Sequence, residues 1–356
     1  MSSTPLIHVS AGVIYALLAA LLFGASTPFA KVLVGQVDPI ILAGLLYLGS
    51  GCGLSVWWYG AAFMTKRTAE AQLKGQDLPW LAGAVLFGGV IGPALLMIGL
   101  MTTPGANASL LLNLEGVLTA LLAWFIFKEN FDHRIALGMM TITTGGILLS
   151  WDGLFDAGFA WGAFAIVCAC FAWAIDNNLT RKVSAGDPVQ IAAIKGLVAG
   201  SVNLGIALFR GAEFPEVWTI VACGILGLAG YGVSLTLFVL ALRHLGTART
   251  GAYFSIAPFV GAGISIMMLG DRPTFTFFLA ALFMGYGVWL HLTELHSHEH
   301  VHEEMDHDHS HVHDEHHQHG HGPNDPPGEP HSHPHHHTAM RHTHPHYPDI
   351  HHRHFH

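Results

Sequence analysis

The first 295 residues fall into about ten apolar runs, each near the roughly 20 residues an α-helix needs to cross a bilayer core of about 30 Å. They lie near 10–34, 39–64, 78–102, 105–128, 132–151, 158–182, 188–210, 215–243, 247–270 and 273–295, with short polar joints between them. The runs are apolar all round. A surface helix of a water-soluble domain would carry a polar face, so the surroundings of these helices must be lipid or one another. Composition agrees, because charged residues make up 11% of the chain against roughly 25% in ordinary soluble domains. Met1 to Ser10 holds no basic segment ahead of the first run and no small-residue cleavage pattern, which predicts that the first span is retained as an anchor.

Orientation follows from lysine and arginine, which favour cytoplasmic joints. With the N-terminus inside, Lys66, Arg67, Lys74, Lys128, Arg134, Arg181, Lys182, Arg243 and Arg249 fall on inside joints, against Lys31, Arg210 and Arg272 outside. Both termini are therefore expected in the cytoplasm of a multi-pass protein of the plasma or inner membrane. The even number of spans that this requires is met by ten.

Charge separates two materials joined end to end. Residues 1–295 carry 14 acidic and 13 basic side chains, while residues 296–356 carry 10 acidic side chains against Arg341 and Arg353, so the net charge of -9 belongs almost wholly to the tail. No basic patch argues for nucleic acid. The four cysteines, Cys52, Cys168, Cys170 and Cys223, lie in apolar runs without zinc-finger spacing, and a disulfide scaffold is excluded.

The body repeats itself. Laying residue i on residue i+149 pairs 11–51 with 160–200 without a gap at ten identical positions, among them Asp38-Pro39 on Asp187-Pro188. An offset of 142 pairs span four with span nine and span five with span ten, matching Ala106 to Ala248, Ala120 to Ala262, Glu129 to Asp271 and Gly145 to Gly287. Each half holds five spans. Five is odd, so the second half must enter the membrane from the opposite face, the inverted-topology construction of many secondary transporters. The fold class is thus all-α integral membrane, ten helices as two inverted five-helix repeats (residues 1–151 and 152–295), followed by a disordered histidine-rich tail, 296–356.

At Ala20-Leu-Leu-Phe-Gly-Ala-Ser-Thr-Pro-Phe-Ala-Lys31, Gly186-Asp187-Pro188 and the acidic residues closing spans four and nine, Glu129 and Asp271, the chain resembles the ten-helix EamA-type permeases of the drug/metabolite transporter superfamily. The resemblance covers roughly residues 8–295. It implies export of amino acids, metabolites or toxic small molecules, or import of nucleotide sugars and similar solutes; substrate class does not transfer with a fold. One departure stands out. Where span nine has Ala257-Pro258, span four has Glu115-Gly116, an ionisable group where such permeases carry a kink.

Glu115 falls near mid-bilayer, where an acidic side chain costs roughly 2.5–3.5 kcal/mol on insertion scales. It should face a cavity, as a proton-coupling carboxylate, a ligand for a cationic solute, or a hydrogen-bonded lock between helices. Asn113 and Asn107 precede it and could extend a polar strip or act as helix glue. Asp176, Asn177 and Asn178 lie about a turn before the cytoplasmic end of span six, and Lys195 about two turns into span seven, which re-enters from that side. Equal depth predicts an Asp176–Lys195 ion pair, structural or a cytoplasmic gate or solute contact. Trp57-Trp58-Tyr59 reads as an interfacial belt, and Gly88-Gly89, Gly92-Pro93, Gly224, Gly227 and Gly230 as packing or bending points. There is no P-loop, nucleophile elbow or HExxH, so enzymatic chemistry finds no support, no cofactor is required, and an ion gradient is the expected energy source.

The tail holds 24 of the 28 histidines, seven prolines and only eight hydrophobic residues, too few for a packed core. His296, His298, His300, His302, His307, His309, His311, His313, His316, His317, His319 and His321 alternate with acidic and small residues, a pattern that suits zinc, nickel, cobalt or copper ions. It reads as a cytoplasmic metal buffer, a sensor that gates transport, or a vestibule for a transported metal. The favoured function is a secondary transporter, an exporter of a small organic metabolite by alternating access with the proton as coupling ion and a metal-responsive tail. A divalent zinc, nickel or cobalt permease ranks second, because His8, His133, His244 and His291 all lie at span ends or joints.

Overall fold

A computed structural model describes residues 11–64, 73, 75–127, 133–151, 157–184, 186–292, 297–302, 305–311, 331–337 and 340–345. Thirteen α-helices are assigned among them: α1 Ala11–Val34, α2 Pro39–Met64, α3 Leu78–Ala84, α4 Gly92–Thr102, α5 Gly105–Leu111, α6 Leu114–Phe127, α7 His133–Trp151, α8 Ala157–Val183, α9 Pro188–Phe209, α10 Val217–Gly227, α11 Ser234–Phe254, α12 Ala257–Leu269 and α13 Phe275–Leu292. Eight helical stretches are long and apolar enough to cross a bilayer, and two shorter apolar helices, Ala136–Leu149 and Phe275–Leu290, complete a ten-helix bundle. Trp57, Phe209, Trp218 and Phe275 are each at least two-thirds exposed on its outside. Side chains of that size face lipid at little cost, whereas water would disfavour them.

Helices α2 and α9 start where the duplicated Asp-Pro stands. Asp38 Oδ1 accepts from the Ile40 and Ile41 amides at 2.9 and 3.2 Å, and Asp187 Oδ1 from those of Val189 and Gln190 at 2.9 and 3.3 Å. The carboxylate satisfies two orphan donors and proline, fixed in a helical φ, follows at the first helical position. These two helices lie along one another. Their backbones meet where a Cβ on Gly196 would come 2.5 Å from the Gly51 amide nitrogen, so only glycine permits the approach. Helix α7 lies similarly along α13, and α1 along α11 and α12.

Two irregularities recur in both halves. The third and eighth spans each contain a π-helical segment, Val85–Ile91 and Leu228–Val233. The fourth span breaks at Leu112-Asn113 and its counterpart at Ser255-Ile256. Val85 and Leu228, like Leu112 and Ser255, stand 143 residues apart. The joint expected at 244–246 is not a break, for α11 runs unbroken from Ser234 to Phe254. No proline or glycine in a left-handed conformation stops it there; Gly270, at φ 68°, does end α12.

Beyond residue 295, where no regular structure is expected, four segments pair as strands. β1 (Ser297–His302) is antiparallel to β4 (Met340–Pro345), and β2 (Met305–His311) to β3 (His331–His337). Two-stranded ladders like these need no packed core, and alone in water they are marginal. Residues 296, 303–304, 312–330, 338–339 and 346–356 lie outside the described residues, with Lys66, Arg67, Lys74, Lys128 and Glu129. All four cysteines are free thiols.

Candidate functional site

The site begins with Pro93. A proline has no amide hydrogen to give the carbonyl four residues back, here Gly89, and the π register sends the preceding Gly92 amide to Phe87 O. Two successive carbonyls thereby lose their usual α-helical donors, and side chains meet both. Gly88 O accepts from Tyr47 Oη of α2 at 2.7 Å and from Trp173 Nε1 of α8 at 3.0 Å. Gly89 O accepts from Asn203 Nδ2 of α9 at 3.0 Å. The π segment therefore ties three helices together at one depth.

Beside that junction lies a cavity whose walls include Tyr47 and Trp173. Its charged residues are Glu115, Asp176 and Lys195. Lys195 is 1% exposed, and its Nζ lies 2.6 and 2.8 Å from the two carboxylate oxygens of Asp176 and 3.2 Å from Thr180 Oγ1. Thr180 also donates to Asp176 Oδ1 at 2.8 Å. The expected pair exists, and it is closed: three acceptors match the three hydrogens of the ammonium group. Gly88 belongs to the same arrangement, because a Cβ there would collide with Asp176 Oδ2.

Glu115 occupies the first turn of α6, whose N-terminus is set inside the membrane by the break at Leu112-Asn113. An acid there meets the positive end of the helix dipole. Its Oε1 accepts from Asn177 Nδ2 of α8 at 2.8 Å, and the same amide lies 3.3 Å from Thr119 Oγ1. Among the described residues no donor meets Oε2. Most of the remaining wall is aromatic, with Gly230, Ser234 and Leu235 between the rings. Phe23 of α1 stands edge-on to Trp173 and Tyr231 at centroid distances of 5.8 and 5.9 Å and lies 5.4 Å from Phe254. Phe254 meets Phe238 at 4.9 Å, and Tyr231 meets Tyr47 at 5.4 Å. The Tyr231 hydroxyl is buried without a hydrogen-bond partner among the described residues.

Of the residues singled out by sequence, Glu115, Asp176, Asn177 and Lys195 are brought together here. Asn113 is not. It is buried against α13, its amide nitrogen 3.3 Å from Leu110 O and 3.8 Å from Met284 Sδ, because the break at 112–113 turns it away from the cavity. Asn107 is no part of the cavity lining either. Trp58 donates its Nε1 hydrogen to Asp187 Oδ2 at 3.0 Å, so one member of the aromatic belt braces the start of α9. Asp271 Oδ2 accepts from the Ala106 amide at 2.8 Å, capping α5 from the end of α12. Lys31 donates to Leu100 O at the end of α4. The histidines of β1 and β2 are placed as strand positions only, and His296, His313, His316, His317, His319 and His321 lie outside the described residues. Among the described residues no group of three His, Cys, Asp or Glu side chains gathers to hold a metal ion.

The six aromatic residues were not legible as a site, since each reads as ordinary core within its own span. Pro93 with Gly88-Gly89 was the available signal: a proline in mid-span leaves a carbonyl that some side chain must satisfy.

Comparison with known proteins places these features. The chain is 28% identical over 293 residues to an uncharacterized transporter of Methanothermobacter thermautotrophicus, covering 78% of this chain and 85% of that one. It is 25% identical over 263 residues to the uncharacterized transporter YyaM of Bacillus subtilis, covering 68% and 81%. A solved crystal structure matches with a TM-score of 0.60 at 18% identity, over 79% of this chain and 95% of that one, a likeness of fold. The model of the EamA-like transporter family matches twice, at residues 10–151 and 160–293. The chain belongs to the EamA-like transporter family, and it is a multi-pass membrane protein of transporter type.

Proposed function

We propose that this protein is a secondary active transporter that exports a small organic metabolite by alternating access through the central cavity, with protons as the coupling ion at Glu115. The observation that carries this reading is a carboxylate set inside the helical bundle, one oxygen fixed by Asn177 and the other without a donor among the described residues, facing a cavity between the helices. The family supplies transport, and the lack of any nucleotide-binding motif in the sequence leaves an ion gradient as the energy source. The π segments and broken helices recurring 143 residues apart support two inverted repeats, with a midplane site between them. On this reading the protein sits in the plasma or inner membrane with both termini in the cytoplasm, and its tail binds zinc, nickel, cobalt or copper ions to buffer them or to regulate transport.

The test is efflux and counterflow in proteoliposomes for the full chain, for Glu115→Gln and for a chain ending at Leu295, against amino acids, organic amines, organic acids and zinc, nickel and cobalt ions. An inward proton gradient should accelerate efflux of an organic solute. Glu115→Gln should abolish that acceleration while inserting normally, and truncation should change only metal sensitivity. If metal ions alone move, and losing the tail weakens their apparent affinity, the protein is a metal permease instead.

A further inference from the structure

We infer that the solute of this cavity is a protonated organic amine with an apolar or aromatic body, held at its ammonium group by Glu115 and along its body by the aromatic wall. The inference rests on the reading of the cavity as the transport site and deepens it. Three formal charges line the cavity, and two of them cancel. Every hydrogen of the Lys195 ammonium group is directed at an oxygen of Asp176 or Thr180, and both Asp176 oxygens lie within 2.8 Å of Lys195 Nζ. Lys195 cannot receive a solute carboxylate without breaking this buried pair, and Asp176 cannot receive an ammonium group without losing its partner. The charge left over is that of Glu115, so the cavity is a net anion whenever that carboxyl is ionised.

The unpaired polar atoms complete the argument. Glu115 Oε2 meets no donor among the described residues, and the hydroxyl of Tyr231, a residue 4% exposed, has Ser26 beside it but no partner at full hydrogen-bond geometry. Both line the same cavity, and both oxygens can accept a hydrogen bond. An ammonium group brings the N–H donors that would satisfy them. The walls then decide for an organic cation rather than a metal ion. Phe23, Trp173, Tyr231 and Phe254 present ring surface, which attracts a cation through its quadrupole and covers an apolar body, whereas a desolvated metal ion needs several oxygen, nitrogen or sulfur ligands. A zwitterionic amino acid would match the Glu115 end but would bring a carboxylate into a cavity whose lysine is occupied.

The experiment compares four probes of nearly one shape: phenethylammonium, 2-phenylethanol, 3-phenylpropionate and phenylalanine. Their binding to the full chain in detergent is measured by calorimetry, and their counterflow is measured in proteoliposomes. Phenethylammonium should bind at least ten-fold more tightly than each of the others. Glu115→Gln should remove at least nine-tenths of that preference, and Tyr231→Phe, which keeps the ring and its packing, should weaken amine binding several-fold while leaving 2-phenylethanol unchanged. Equal or tighter binding of phenylalanine or phenylpropionate would overturn the amine assignment while leaving the cavity as a transport site. So would a preference untouched by Glu115→Gln, or failure of all four probes while another solute moves in counterflow. If no solute moves at all, it is the transport reading that fails.

Discussion

Replacing Lys195 by methionine removes a charge from a position that is 1% exposed and strands a carboxylate whose side chain is 9% exposed. Among the described residues Asp176 would keep a single partner, the Thr180 hydroxyl at 2.8 Å. Breaking a buried pair from one side costs about 3–5 kcal/mol, while replacing both partners by uncharged groups of similar volume is often neutral. At about 1.4 kcal/mol per power of ten, Lys195→Met or Asp176→Asn should lower the folded-to-unfolded ratio by roughly two to three and a half powers of ten. The double variant Asp176→Asn/Lys195→Met should regain most of that stability. The measurement is denaturation by sodium dodecyl sulfate in mixed micelles, followed by circular dichroism for wild type, both single variants and the double. A cycle gives a coupling energy free of the effects each substitution has alone. Coupling below about 1 kcal/mol, the range of exposed pairs, would refute the claim that these side chains form a desolvated pair. Charge reversal at both positions gives a second check, since either reversal alone should fail and the two together should restore insertion and folding.

Other consequences can be read from single contacts. Gly88→Ala places a methyl group against Asp176 Oδ2 and should cost about 1–3 kcal/mol by overpacking, with transport lost before folding in a proteoliposome assay; unaltered flux would show that the wall at Gly88 yields. Asp187→Ala removes the α9 cap and the partner of Trp58, so a loss of about 1–2 kcal/mol is expected by the same denaturation method. Asp271→Ala should cost about 1 kcal/mol through the lost cap on the Ala106 amide, with no change in substrate selectivity in a counterflow panel.

What sequence made legible here is what depends on one helix or on a matched depth. Hydrophobic length gives the spans because lipid imposes it on each helix separately, and the Asp-Pro pairs mark helix starts because capping is local. Asp176 and Lys195 could be paired in advance because both lie seven residues from ends that share one joint, Val183 and Pro188, so helical rise alone sets them level. The aromatic wall required more. Phe23, Tyr47, Trp173, Tyr231, Phe238 and Phe254 come from five elements, and nothing within a span distinguishes a ring that faces a cavity from one that faces lipid. Asn113 fails for a related reason, since the helix break two residues before Glu115 rotates it toward Met284, and that break carries neither proline nor glycine to announce it.

The π segment explains why the ion pair and the aromatic wall should act together. Gly88 O holds Tyr47 and Trp173 only because the Gly92 amide bonds to Phe87 rather than to Gly88. Were this turn to revert to α-helical register, Gly92 would claim the Gly88 carbonyl in competition with the two rings, and their polar ends would lose their anchor. The same movement would shift the Gly88 Cα, which now lies so close to Asp176 that even a methyl group is excluded. A single backbone turn thus joins the two rings that line the cavity to the charge pair that closes part of it. Coupling of this kind needs an element with two discrete hydrogen-bonded arrangements rather than general softness. The Gly92 amide is the donor, and Phe87 O and Gly88 O the acceptors, for the two arrangements, with Pro93 withholding an α-helical donor from Gly89 O, which Asn203 meets.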